Sequence, residues 1–117
     1  MRSHLARPRP CTGERQLCSL VRALVAHGGQ RRLRVLLCDE PTSNVDFASD
    51  TRVMDTLLGL DCAVLLNAHR LQHIRRFDRV VILDGGTLVE DGTPAELLSD
   101  ARSRLSAMWR ASQGSET

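Results

Sequence analysis

The sequence predicts an α/β domain with a mainly parallel sheet, a C-terminal β-hairpin and terminal helices. Three observations predict it. The apolar runs "RVLLC" (34–38), "CAVLLNA" (62–68) and "RVVIL" (79–83) lack polar alternation, the pattern of strands buried on both faces. Segments with helical apolar spacing separate them, which gives strands alternating with helices. Finally, "DGG" stands between "RVVIL" and "TLVE", a turn flanked by two strand-like runs.

Each element has its own warrant. From Gly13, residues Leu17, Leu20, Val21, Leu24 and Val25 recur on one helical stripe. Thr12 is the expected N-cap, Glu14 suits the positive helix end, and Gly28-Gly29 stops the segment. Residues 47–60 predict a second helix, with Val53, Met54, Leu57 and Leu58 facing inward. Residues 70–77 predict a short third helix. Thr93-Pro94-Ala95-Glu96 predicts a helix start, with Thr as N-cap, Pro at the first helical position and Glu closing a capping box. Leu105, Met108 and Trp109 predict a last amphipathic turn. The organisation expected is a basic irregular stretch over 1–10, one domain over 11–111 and a disordered tail over 112–117.

Composition narrows the classes. A length of 117 residues allows one small domain or a piece of a larger one. An apolar fraction of 42% is enough for a core and argues against general disorder. Only Phe47, Phe77 and Trp109 are aromatic, so that core is aliphatic. The net charge of +2 points to no particular partner, and no nucleic acid is expected. The four cysteines form no CxxC pair and no zinc spacing, and read as small buried hydrophobes. No apolar run approaches the roughly 20 residues of a membrane span, and the N-terminus lacks the apolar core of a signal peptide.

Two places carry polar residues at strand ends, where ligands gather in parallel sheets. Asp39 and Glu40 end the run "RVLLCDE", and two carboxylates there suit a hard cation such as Mg²⁺ or the acceptance of a proton from water. A solvated strand-to-loop turn is the competing reading. His69 follows "LLNA", and by itself reads as a surface or core histidine. Both strand ends fall on one edge of the expected sheet, the first sign of a shared site.

The order and spacing of "CTGERQLCSLVRALV", "RVLLCDEPTSNVD", "LLNAHRL" and "DRVVILDGGTLVEDGTPAELL" resemble the C-terminal half of an ABC transporter nucleotide-binding domain. "AHRL" and "GTPAELL" make the resemblance exporter-like, of the multidrug-resistance-associated type. It covers roughly residues 11 to 110 and implies a partial P-loop NTPase (RecA-like) core. By resemblance, Asp39 ends the Walker B strand and holds Mg²⁺ through water, Glu40 is the general base, and His69 is the switch histidine facing the γ-phosphate of ATP. Ser43, Asn44, Val45 and Asp46 fall in the D-loop. Cys11, Thr12, Gly13 and Glu14 match the signature motif, which meets ATP bound to a second nucleotide-binding domain in a head-to-tail pair. The resemblance further implies transmembrane domains on another part or chain, and a place on the cytosolic face of a membrane by association.

Departures qualify this. Pro10 and Cys11 stand where the signature carries Leu-Ser, and a thiol donates poorly to phosphate. All sixteen basic residues are arginine, so no GxxxxGK[ST] P-loop exists in the chain. The expectation is a sheet lacking its P-loop strand, with a gap between the second and third strands or an unpaired edge, and a chain inactive alone. Two alternatives remain. One is a non-catalytic truncated partner or regulator of a complete domain. The other is the C-terminal half of an SMC or DNA-repair ATPase head, which needs a heptad helix that nothing before residue 11 supplies.

Overall fold

A computed structural model of the chain describes residues 11–26 and 34–114. The basic stretch 1–10, the Gly28-Gly29 stop and residues 115–117 lie outside them. The chain divides into two compact units between His69 and Arg70.

The first unit holds α1 (Thr12–Ala26), β1 (Val35–Asp39), α2 (Phe47–Leu58) and β2 (Ala63–Asn67). Helix α1 begins at Thr12, so its cap is Cys11, one residue earlier than expected. Cys11 Sγ accepts the Glu14 N–H at 3.4 Å, and the Cys11 N–H donates to Glu14 Oε2 at 3.0 Å, a reciprocal pair of the capping-box kind. Of the expected stripe, Leu17, Leu20 and Leu24 are half-buried, while Val21 and Val25 are exposed. Helix α2 starts at Asp46, whose carboxylate accepts from Ser49 N–H at 3.1 Å. It ends at Leu58 rather than Leu60 because Gly59 closes it. Val53, Met54 and Leu57 face inward as expected, joined by Val45 from the loop before α2. Full burial of a leucine such as Leu57 contributes about 1.5–3 kcal/mol.

Strands β1 and β2 pair in parallel, with Val35 opposite Ala63 and Asp39 opposite Asn67. Burial corrects one expectation. These strands are covered on one face only: Leu36 is 7% exposed, while Leu37 is 72% and Leu65 67% exposed. Leu37 and Leu65 are register partners on one face, and nothing among the described residues of this unit covers them.

The second unit holds a 3₁₀ turn (Ile74–Arg76), β3 (Val80–Asp84), β4 (Thr87–Gly92), α3 (Pro94–Ser99) and α4 (Arg104–Gly114). The short helix expected over 70–77 is this turn alone, made by i→i+3 bonds such as Ile74 N–H to Leu71 O. So few residues do not support a nucleated α-helix. The hairpin forms as expected across Gly85 and Gly86, both at positive φ (55° and 78°), the geometry of a two-residue type I′ turn. The capping box of α3 is present in full, with Thr93, Pro94 and Glu96 in their expected roles. Helix α4 continues to Gly114, so residues 112–114 are helical where a disordered tail was expected. Within it the Ser112 hydroxyl donates to Trp109 O at 2.7 Å.

Where one mainly parallel sheet was expected, the described residues form two small sheets, a parallel pair in the first unit and an antiparallel pair in the second.

Candidate functional site

The strand ends of the first unit bring three of the expected residues together. Asp39 is the last residue of β1, and Asn67, its register partner, ends β2. The Asn67 side chain donates Nδ2–H to Asp39 Oδ1 at 2.7 Å, which fixes the orientation of that carboxylate. Glu40 follows, and its N–H continues the ladder to Asn67 O at 2.7 Å. Its backbone φ is +46°, the left-handed region that a residue with a side chain rarely adopts. Such a conformation costs about 1–3 kcal/mol and persists only where neighbours hold it. From it the Glu40 carboxylate meets His69, with Oε1 and Nε2 2.5 Å apart. The imidazole is 82% exposed and the carboxylate 35%, so the pair faces solvent.

The remaining expected residues lie along the loop and helix beside this group. Ser43 N–H bonds Glu40 O at 3.3 Å, and Val45 N–H bonds Thr42 O at 3.1 Å, so the loop is two tight turns. Ser43 and Asn44 are exposed, whereas Val45 and Thr42 are buried and anchor the loop. Asp46 serves α2 as its cap, and Ser49, first through its hydroxyl and then through its N–H, holds its carboxyl below the usual range. Gly13 approaches the loop so closely that a Cβ there would lie 2.4 Å from Asn44 O, which only glycine permits. Cys11 and Glu14 bond each other, while Thr12 borders a cleft of about 380 Å³ between α1 and β1. Arg15, Gln16, Asp39 and Glu40 are among its polar lining residues, and Leu20 and Leu36 among its apolar ones.

Two residues of this neighbourhood escaped the sequence reading. Gln16 links α1 to the loop, and its signal was a polar residue extending the apolar stripe of Leu17 and Leu20. Asn67 orients Asp39, and its signal was a polar side chain closing an otherwise apolar strand. The cysteines are free thiols. Burial, with a smaller contribution from Cys62, pushes the Cys38 thiol up, which leaves it a small apolar residue beside the site.

No three His, Cys, Asp or Glu side chains converge among the described residues, so they build no all-protein metal cage. Two carboxylates at one strand end fit Mg²⁺ in its other mode, in which one or two carboxylates act with waters and substrate phosphates.

Fold and site thus define an α/β chain matching an ABC exporter fold. Its chain trace agrees with a bacterial Atm1-family ABC exporter solved with ATP bound, at a TM-score of 0.76 and 28% identity over 87% of this chain and 17% of that one. Sequence relatives agree. The chain is 45% identical over 87 residues to the ABC-type transporter cicA of Emericella nidulans, covering 73% of this chain and 6% of the relative. It is 40% identical to the transport/processing ATP-binding protein ComA of Streptococcus pneumoniae, covering 74% of this chain and 11% of that one. With the oligomycin resistance ATP-dependent permease YOR1 of Saccharomyces cerevisiae it shares 39% identity over 98 residues, 82% of this chain and 6% of the permease. No family model matches the chain. The chain belongs with the ABC transporters, as a part of their nucleotide-binding domain that spans about one twentieth to one tenth of those relatives' length. No helix among the described residues is long and apolar enough to cross a membrane.

Proposed function

We propose that this chain carries the water-activating half of an ABC-type ATPase site and acts only with a second nucleotide-binding domain. The observation that carries the reading is the meeting of Glu40 and His69 at the ends of two paired parallel strands, with Asp39 oriented beside them. Glu40 is the proton acceptor for the attacking water. His69 holds the carboxylate until substrate binds and then turns its N–H to the phosphate. Asp39, already oriented by Asn67, is the residue that holds Mg²⁺, through water. Bound Mg²⁺ neutralises charge on the phosphates of ATP.

The same reading places the phosphate grip outside these residues, on another part of the polypeptide or on another chain. With no lysine among its basic residues, this chain has no P-loop of its own. The N-terminus of α1, with Cys11 to Glu14, faces ATP held by the partner domain, where free N–H groups and the helix dipole favour phosphate. Powering export then requires transmembrane domains, and places the chain at the cytosolic face of a membrane.

The test is complementation. A complete ABC nucleotide-binding domain with its own catalytic glutamate replaced is mixed with this chain, and ATP hydrolysis is followed. Added chain is expected to restore hydrolysis. Glu40→Gln is expected to remove that gain by roughly 10²- to 10⁴-fold, the range for a lost general base. A stimulation that survives Glu40→Gln would leave the chain a non-catalytic regulator. Micromolar ATP affinity in the chain alone would remove the need for a partner's phosphate grip.

A further inference from the structure

The side-chain amide of Gln16 is where α1 meets the loop after β1. Its Nε2 donates to Glu40 O at 3.1 Å and to Ser43 Oγ at 2.9 Å, and its Oε1 accepts the Asn44 N–H at 3.1 Å. Both donors of the amide and one of its two acceptor lone pairs are thereby used. One turn earlier, Gly13 lies against Asn44 O with no room for a Cβ. Contacts at positions 13 and 16 sit above one another on one helix face, so together they set the rotation and height of α1 against the loop.

Glu40 is the residue on that loop that needs holding. At φ +46° its backbone is not self-sustaining. Three bonds hold it: its N–H donates to Asn67 O, and its carbonyl accepts from Gln16 Nε2 at 3.1 Å and, more loosely, from the Ser43 N–H at 3.3 Å. In this conformation its carboxylate reaches His69. We infer that Gln16 is a positioning residue for Glu40, holding its main chain in the left-handed conformation and so tying the carboxylate to the orientation of the α1 N-terminus. A shift or rotation of α1 would pull on the Glu40 carbonyl through one side chain. The catalytic meaning of this link rests on the proposed role of Glu40; its geometry does not.

The test therefore reads geometry first. In the ¹⁵N-labelled full chain, the His69 imidazole signals are identified by their loss in His69→Asn. Gln16→Leu is expected to move them as Glu40→Gln does, and to make the Asn44 amide exchange about 5- to 10-fold faster, the loss of one hydrogen bond. Gln16→Glu keeps the acceptor and loses both donors, so His69 should move while Asn44 keeps its protection. Arg22→Gln, on an exposed part of the same helix, should move neither. A residue that merely supported α1 would not reach His69 in this way. Unmoved His69 signals in both Gln16 variants, with native far-UV circular dichroism, would overturn the inference. Should Gln16→Leu fail to fold, the Gln16→Glu result decides alone. In the complementation assay, Gln16→Glu is expected to lower kcat by about 10- to 100-fold with KM nearly unchanged, the effect of a misplaced catalytic group. If the unsubstituted chain restores no hydrolysis, the ATPase reading fails while the His69 signals still judge Gln16.

Discussion

In the unit ending at His69, the bonds that shape the site span 24 to 28 residues: Gln16 to Glu40, Ser43 and Asn44, and Asn67 to Asp39. In the unit that begins at Arg70, the corresponding bonds are shorter. Thr93 and Glu96 cap α3 from three residues apart, and Arg79 pairs with Asp91 across the hairpin from twelve. Glu90 takes the N–H groups of Arg104 and Leu105 at the start of α4, from 14 and 15 residues away. Ser103 and Ser106 donate to Leu97 O, so the end of α3 is satisfied by the start of α4. The second unit thus meets most backbone needs locally, while the first relies on contacts that close long loops and holds a strained Glu40 besides. Strain and distant contacts gather where the chemistry is proposed, as expected of sites that fold for geometry rather than for stability alone.

The largest test of that contrast is in the two cores. Leu57 and Leu105 are each 1% exposed. Replacing either by alanine is expected to cost about 2–5 kcal/mol. Amide exchange should show Leu57→Ala opening β1, β2 and α2 and separating Glu40 from His69, and Leu105→Ala opening the hairpin and α4. If either substitution lowers protection equally in all four strands, the two regions unfold as one and the contrast fails.

A smaller pair of substitutions separates long-range from local support. Gly13→Ala forces a Cβ against Asn44 O and is expected to cost about 1–3 kcal/mol by overpacking. Thr93→Ala removes one cap and should cost about 1 kcal/mol. Urea midpoints give both values. The sharper measurement is reach: Gly13→Ala should disturb Ser43 and Asn44, some thirty residues along the chain, whereas Thr93→Ala should stay within α3. A Gly13→Ala effect confined to α1 would mean that the close approach to Asn44 carries no weight.

The same contrast decides what could be read in the sequence. The hairpin, its Gly85-Gly86 turn and the Thr93–Glu96 box were legible because each is encoded within a few residues. The strand ends Asp39 and His69 were legible as sheet-end positions, and the ABC motifs pointed to them together. The cap at Cys11 was missed because a thiol rarely takes that role, and Thr12 next to it is the commoner choice. Burial of β1 and β2 on both faces was misjudged because apolar content reports what a strand can bury, not what lies over it. Gln16 and Asn67 were missed because their partners, Glu40 to Asn44 and Asp39, are distant in sequence and reached only through the fold.

The smallest expected effect is on the acid limb of stability, where each unit has one carboxyl held below its usual range. Asp46 is lowered by the Ser49 hydroxyl and then by the Ser49 N–H, and Asp91 by its two bonds to the Arg79 guanidinium. A depressed carboxyl stabilises the fold fully above its unfolded value, about 3.9 for aspartate, and that contribution is lost as pH falls through the lower folded value. Neither group should therefore matter between pH 7 and about pH 5, and both should begin to cost stability below about pH 4. Their partners differ, and this separates them. Asp91 faces a full cation at an exposed position, an attraction that salt screens strongly. Asp46 faces a neutral hydroxyl, a neutral N–H and a partial helix dipole, so less is there to screen. Asp91→Asn should flatten the acid limb reported by the hairpin amides, and raising the salt concentration should do much of the same. Asp46→Asn should flatten the limb reported by α2, with a weaker response to salt. Equal salt sensitivity in the two limbs would show that the guanidinium pair adds nothing beyond an ordinary cap.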